Sequence, residues 1–251
     1  REEMKDPSPA SIVLFQELER VNVLLDKIKS TLRDLRRAIN GEIGITPELE
    51  NLAQALTNGF LPTRWRELCP QTRKGLAGWL EHLRRRLAQY NSWIDSKQPR
   101  AIWLAGLHVP EAFLTAMVQT AARAKEWPLD KTTLFTAATT FKSVEDIDSD
   151  LSLGCYIYGL FLEGAGWDFD NGCLMKQKPK ELIVELPIIA IVPIEASKLK
   201  LKDMIKVPVY VTQDRRNAAG VGRVFDADLS STVHPSHWIL QGIAIVMNTD
   251  E

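Results

Sequence analysis

Cysteine is scarce. Cys69, Cys155 and Cys173 are the three among 251 residues, too few and too scattered for a disulfide framework or a Cys-rich zinc site. There is no Asn-x-Ser/Thr sequon and no apolar leader at the start, so the reading is a chain of a reducing, intracellular compartment. Charge of one sign is not in excess. Lys and Arg number 31 against 32 Asp and Glu, a net −1, which argues against a polybasic nucleic-acid binder and against a disordered acidic tail. The longest stretch without Asp, Glu, Lys or Arg runs from Leu229 to Thr249, but it contains His234, Pro235, His237 and Gln241 and does not read as a membrane span. None of the 14 glycines is followed by lysine. A Walker A loop needs Gly-Lys-Ser/Thr so that backbone amides and a lysine surround phosphates, so no P-loop is expected. Gly220-Val221-Gly222 lacks the third glycine of a dinucleotide fingerprint, and neither a Gly-x-Ser-x-Gly elbow nor a His-Glu-x-x-His pair is present.

What is present is an ordinary globular composition, 45% hydrophobic and 25% charged, enough for one large domain or two modest ones. A folded chain of this size buries roughly 70–75% of the surface its unfolded form exposes, so a core needs no staples. The sequence opens on Arg1 and is expected to be a fragment of something longer. Its character changes at Trp127-Pro128. Residues 1–127 carry a net +4 and residues 128–251 a net −5.

The first half reads as helices. Leu14, Leu18, Val21, Leu25, Ile28, Leu32, Leu35 and Ile39 recur at alternating steps of four and three, a 3.5-residue seam on one helical face. Such a helix would be about 43 Å long, capped by Ser8 or Ser11 and followed by Gly41. Its seam could pack within the molecule, form a coiled coil, or meet another region of a parent protein. A second helix is expected over Thr46–Leu56, with Thr46-Pro47 as cap and first turn. A third is expected over Thr72–Ile94, with Leu76, Trp79, Leu83, Leu87, Tyr90 and Ile94 on one side. Arg84, Arg85 and Arg86 cannot share a face and read as a solvated surface or an acidic partner's contact. A fourth helix starts at Pro110 and stops at Trp127-Pro128.

Beyond Asp130 the pattern turns to strands over Thr132–Phe141, Leu153–Glu163, Leu182–Ile194 with period two, Val207–Thr212, Val221–Leu229 and Trp238–Met247. Few intervening helices fit, so the sheet should be mainly antiparallel and should close on itself. The expected fold class is α+β: a helical bundle (1–127), then a small, mostly antiparallel β-barrel of about six strands (128–251). Pro187 and Pro208 should sit at edges, bulges or strand starts.

Candidate chemistry is thin. Asp146, Asp148 and Asp150 resemble the start of a calcium loop, but Leu151 stands where its glycine is needed and Ile157 where its bidentate glutamate is needed. They read as a solvated acidic loop. His234 and His237 lack an identifiable third ligand. Tyr156, Tyr158 and Trp167-Asp168 could line a pocket but fit core positions better.

A series of phrases says more. Gln16-Glu17-Leu18-Glu19-Arg20-Val21-Asn22 and the following Leu24-Leu25 resemble the opening of the C-terminal domain of dynein heavy chains. Leu61-Pro62-Thr63-Arg64-Trp65 resembles its Pro-x-x-Trp turn. The run from Trp103 through Gly106, Pro110 and Phe113 to Thr115 is similar to its Trp-Gly-Pro-Phe stretch, continued by Gln119, Arg123 and Asp130. Gly154 to Ala165, with Gly159, Glu163 and Gly164, and then Trp167, resemble a further phrase. Pro208 with Tyr210, and Trp238 with Gly242, match the last two. The phrases keep their order from Phe15 to Ala244. Ala105, Leu107, Gly166 and Gln241 depart from them, the last two standing where the family has arginine. The wording is closer to axonemal than to cytoplasmic heavy chains.

The resemblance implies a helical bundle and small barrel lying across one face of a six-module AAA+ ring. It implies a non-catalytic region of a microtubule motor that tunes ATPase, stepping or force, with ATP and Mg held in the ring modules and no cofactor here. Partners would be ring modules of the same polypeptide, with microtubules reached only through the motor, and neither nucleic acid nor membrane. The location would be the axoneme of a cilium or flagellum. Gln16, Glu19, Arg20 and Asn22 are the candidate junction with a preceding module. Two rivals remain: a free-standing barrel that binds a small ligand, and a hydrolase built on His234 or His237.

Overall fold

A computed structural model of the protein describes residues 8–96, 100–199, 202–217 and 220–249; the opening Arg1 lies outside them. Helix α1 spans Pro9–Ile39. The Ser8 hydroxyl accepts the Ser11 amide at 3.1 Å, satisfying an orphan donor of the first turn. Asn40 ends the helix, and Gly41 follows at φ 76°, the left-handed region glycine enters without penalty. The buried stripe is Val13, Glu17, Val21, Leu24 and Leu35; it keeps Val21 and Leu35 of the expected seam, while Leu14, Leu18, Leu25 and Ile28 are half-buried against the same core. Leu32 and Ile39 of that seam are exposed. The stripe packs within the molecule, on α5 (Pro110–Lys125), α2 (Pro47–Thr57), α3 (Thr63–Arg66) and α4 (Leu76–Ser96).

Thr46 caps α2 by accepting the Leu49 amide. The one-turn α3 has no counterpart among the expected helices. Helix α4 begins four residues later than expected and buries Trp79, Leu83, Arg86, Tyr90 and Trp93. The triple arginine is therefore not one solvated surface. Arg84 is exposed and pairs with Glu81, Arg85 lies over an indole, and Arg86 is 4% exposed.

The strands are β1 (Ala101–Trp103), β2 (Thr132–Ala138), β3 (Cys155–Tyr158), β4 (Phe161–Glu163), β5 (Gly166–Asp168), β6 (Cys173–Met175), β7 (Ile183–Glu185), β8 (Ile189–Glu195), β9 (Met204–Thr212), β10 (Arg216–Asn217), β11 (Gly220–Val221), β12 (Arg223–Ser230) and β13 (Ala244–Asn248), with helix α6 at Pro235–Leu240. The expected closed barrel of about six strands is not formed. Among the described residues there are two open sheets, ordered β1-β3-β8-β2 and β12-β9-β13-β4-β7, and two ribbons, β5-β6 and β10-β11. Pairings β1–β3 and β9–β13 are parallel.

The reason is local. The apolar run Leu153–Glu163 breaks at Gly159 (φ 72°), so β3 stays in the first sheet and β4 starts the second. The period-two run Leu182–Ile194 breaks at Leu186-Pro187-Ile188, where the backbone returns. The Leu186 amide donates to the Leu160 carbonyl at that crossing. Two sheets that exchange the backbone twice remain two layers. Pro187 lies at the crossing, buried rather than at an edge. Pro208 also departs from expectation, being inside β9 with a strand on either side. The ladder to β13 begins one residue later, at Val209, and β12 is irregular between Arg223 and Phe225, so the missing N–H is accommodated. The expected strand Trp238–Met247 is strand only from Ala244. His234-Pro235 instead starts α6, with proline in its first turn.

Candidate functional site

A heavily bonded polar group of the helical region is Glu17, 1% exposed. Its position on α1, between Val13 and Val21, points it at the core. Its Oε2 accepts the Tyr90 hydroxyl at 2.7 Å and the His108 amide at 2.7 Å. Its Oε1 accepts the Val109 amide at 3.1 Å and lies 3.6 Å from the Arg20 guanidinium. His108 Nδ1 is 3.2 Å from Oε2, and its Nε2 is 3.2 Å from the Leu68 carbonyl. One carboxylate thus joins α1, α4 and the segment leading into α5, and through His108 the loop after α3. Burial alone would push the carboxyl up; the hydrogen bonds from His108 and Tyr90 outweigh it and hold it below its ordinary value. Burial and the neighbouring Glu17 charge push the Tyr90 phenol up, so it stays a donor.

A second constellation surrounds Trp103. Gln89 brackets its backbone, Oε1 accepting the amide at 2.7 Å and Nε2 donating to the carbonyl at 3.2 Å. The Arg85 guanidinium lies 4.2 Å above the indole and 5.2 Å from the Tyr158 ring, a cation–π arrangement. His82 meets the indole edge-on. A Cβ at Gly106 would come within 2.7 Å of this indole, and one at Gly159 within 2.9 Å. Two glycines from separate phrases make room for one tryptophan. Pro110 opens α5 beside them and is buried, and Phe113 meets Trp93 edge-on. Pro62 precedes α3, whose Trp65 donates Nε1–H to Thr31 at 3.1 Å and stacks on Trp79.

In the sheets, Glu163 accepts from Gln213 at 2.7 Å and Arg215 at 3.2 Å. Arg215 also donates to the Gly242 carbonyl and lies near the Tyr210 ring. A Cβ at Gly164 would meet the Gln241 carbonyl at 2.8 Å, so this turn and the one at Gly242 touch through backbone. Trp167 is buried, and Trp238 donates to Ser231 at 2.7 Å. The buried Asp228 accepts the Thr136 amide and Lys206 Nζ, at 3.3 and 2.9 Å, tying β12 of one sheet to β2 of the other.

Gln16, Glu19, Arg20 and Asn22 are all exposed on α1, and the buried polar residue of their phrase is Glu17 instead. Gln119 is half-buried, and Arg123 and Asp130 are exposed. His234 accepts the Ser236 amide as the cap of α6, with its Nδ1 2.8 Å from the Ser236 hydroxyl. That turn is exposed, and among the described residues no carboxylate bonds the imidazole. Two acids of the acidic loop are engaged: Asp146 caps the turn at Ser143 and Asp150 pairs with Arg100. Among the described residues no three His, Cys, Asp or Glu side chains gather as a metal site, and no helix is long and apolar enough to cross a membrane. A groove of about 1050 Å³ between α1, α2 and α3 is lined by Thr31, Leu52, Phe60 and Trp65.

Residues 1–247 match the family described as the C-terminal domain of the dynein heavy chain. The protein belongs to that family. It is 52% identical over 251 residues to the Dynein-1-alpha heavy chain of the flagellar inner arm I1 complex of Chlamydomonas reinhardtii, covering 100% of the present sequence and 5% of that one. It is 49% identical over 243 residues to Dynein axonemal heavy chain 10 of Homo sapiens, covering 97% and 5%. It is 38% identical to the Dynein beta chain of the flagellar outer arm of Chlamydomonas reinhardtii, covering 97% and 5%. The sequence therefore spans about 5% of the length of these relatives. Of the two positions where the dynein phrase has arginine, Gly166 is buried against Met175 and Lys176, whereas Gln241 is exposed.

Proposed function

We propose that this domain is a non-catalytic brace of an axonemal dynein motor, packing across the face of the AAA+ ring and tuning its ATPase, stepping or force. The support is the Glu17 joint together with the Trp103 socket. They fasten four helical segments to one another and to β1 and β3, so the helical region (residues 1–127) and the sheet region (residues 128–251) carry load as one piece. A brace shifts a ring equilibrium only if its contacts differ in free energy between ring states. Exposed apolar side chains suited to such contacts are Ile39 on α1, Leu182, and Ile239 and Leu240 on α6. Gln16, Glu19, Arg20 and Asn22 present a polar face on α1 to the preceding module. ATP and Mg belong to the ring, and this domain holds no cofactor. Microtubules are reached only through the motor, without nucleic acid or membrane contact. The axonemal setting follows the relatives' names. With the sheets open, a ligand-binding barrel has no interior to use, and the exposed His234 turn offers a hydrolase no sheltered site.

The test is the heavy chain with and without this domain. ATPase rate, gliding velocity and stall force should differ between the two; equality in all three would overturn the proposal. Leu240→Glu with Ile239→Glu should reproduce a fraction of the difference while leaving the domain folded.

A further inference from the structure

Both ring nitrogens of His108 face oxygen. Nδ1 lies 3.2 Å from Glu17 Oε2, and Nε2 lies 3.2 Å from the Leu68 carbonyl. The side chain is 11% exposed. A neutral imidazole has one N–H and one lone pair, so here one nitrogen would turn its lone pair on an acceptor. Neither oxygen can supply the missing hydrogen. The Leu68 carbonyl has none. Glu17 Oε2 already accepts the Tyr90 hydroxyl and the His108 amide, both at 2.7 Å, and an oxygen carrying a hydrogen would be a poor acceptor for two strong donors. Its Oε1 accepts the Val109 amide. The hydrogens are left to the imidazole, where a charge-assisted bond to a carboxylate is the stronger kind. The other charged or titratable groups around this joint are few. Arg20 on α1 lies 3.6 Å from Glu17 Oε1. On α4 the Tyr90 phenol is a donor, with Arg86 one turn before it. Helix α5 carries Glu111 in its first turn, and Cys69 follows Leu68 in the loop after α3.

We propose that His108 is a proton-operated latch: it carries a hydrogen on each ring nitrogen, and loss of one of them to solvent frees the loop after α3 from α1. The order of release follows from charge. The neutral imidazole keeps its hydrogen on Nδ1, against the carboxylate, and turns the Nε2 lone pair on the Leu68 carbonyl, where two acceptors repel. The Glu17 end holds and the Leu68 end opens. The latch is complete while Glu17 is ionised and the imidazole charged, and it is lost as pH rises and the imidazole gives up its proton. The Leu68 and Cys69 amides donate to the Trp65 and Arg66 carbonyls at 3.1 and 3.4 Å, so the loop continues the turn of α3. Trp65 and Arg66 line the groove against α1, and the proton on one side chain thus sets how firmly that wall stands. The latch is a property of the domain and stands or falls apart from any contact with the AAA+ modules.

The experiment places the intact heavy chain in deuterated buffer across a range of pH. Mass spectrometry reads the imidazole C2–H exchange of each histidine and the backbone exchange of the loop after α3. His108 should pass its exchange midpoint at a higher pH than His234 and His237, which are exposed. The Leu68 and Cys69 amides, corrected for their intrinsic pH dependence, should lose about tenfold in protection over the same interval. Glu17→Gln should bring the His108 midpoint down to that of His234, and His108→Gln should abolish the pH dependence of the loop's protection. Limited proteolysis reports folding, and if either variant misfolds, the unaltered chain decides. A His108 midpoint at or below those of His234 and His237, loop protection that does not change with pH, or the same change in a folded His108→Gln chain overturns the proposal.

Discussion

Among the described residues, the helical and sheet regions each bury one carboxylate, and they use it differently. Glu17 gathers donors from α4 and from the turn into α5, so it fixes the mutual position of helices that share no backbone ladder. Asp228 sits on a strand already held by hydrogen bonds to β9. It adds one fastening to Thr136 across the two sheets and reaches Lys206, whose side chain is 44% exposed. Sheets have their ladders; packed helices have only side chains. A buried charge therefore contributes more to alignment among helices than between sheets.

That contrast can be broken in graded ways. Glu17→Ala removes the shared acceptor of Tyr90 on α4 and of the His108 and Val109 amides before α5 and should cost about 3–5 kcal/mol in denaturant unfolding of the domain. Asp228→Asn, with the sheet ladders intact, should cost only about 1–3 kcal/mol in the same measurement. A loss from Asp228→Asn equal to that from Glu17→Ala would erase the distinction. Gly159→Ala attacks the seam between the two regions. It forces a side chain into φ 72° against the Trp103 indole and should cost about 1–3 kcal/mol, with a change in near-ultraviolet circular dichroism from that indole.

Acid should sharpen the contrast further. Glu17 is held below its ordinary value, so its contribution is complete above about pH 4.5 and is lost as pH falls through the lower folded value. Glu17→Gln should flatten that acid limb. The smallest effect concerns His82. Burial and the charges of Lys74, Arg85 and Arg86 lower it to about 4. Folding then favours the neutral ring, and stability should decline from pH 6.5 toward 4 as the unfolded state takes up the proton first. His82→Gln should remove this shallow slope and leave the Glu17 limb in place.

Much of the helical region was legible because its signals are local. Ser8, Thr46-Pro47, Gly41, Pro110 and Trp127-Pro128 mark ends by backbone rules that need no tertiary partner. The expected seam on α1 held at Val21 and Leu35 but missed Glu17, because an apolar pattern cannot register a buried acid. The sign of it was there in Val13, Glu17 and Val21 at helical spacing. The barrel failed for the opposite reason. Leu182–Ile194 keeps its period across Pro187 although the backbone switches sheets there, since both sheets bury the same kind of side chain. Trp238, Ile239 and Leu240 resemble a strand until Pro235 is weighed as a helix start. In the candidate site, the family phrases pointed to Trp103, Gly106 and Gly159 without a reason. The reason is steric and appears only when the two glycines, more than fifty residues apart, meet the same indole.

Strand β13 lies in the middle of the five-stranded sheet, between β9 and β4, although it is the last strand described. During synthesis that sheet has a gap at its centre until residues 244–248 leave the ribosome, and β4 and β9 wait with open edges. A premature stop only a few codons ahead of β13 would therefore remove the keystone of the sheet rather than trim its border, with damage out of proportion to the length lost.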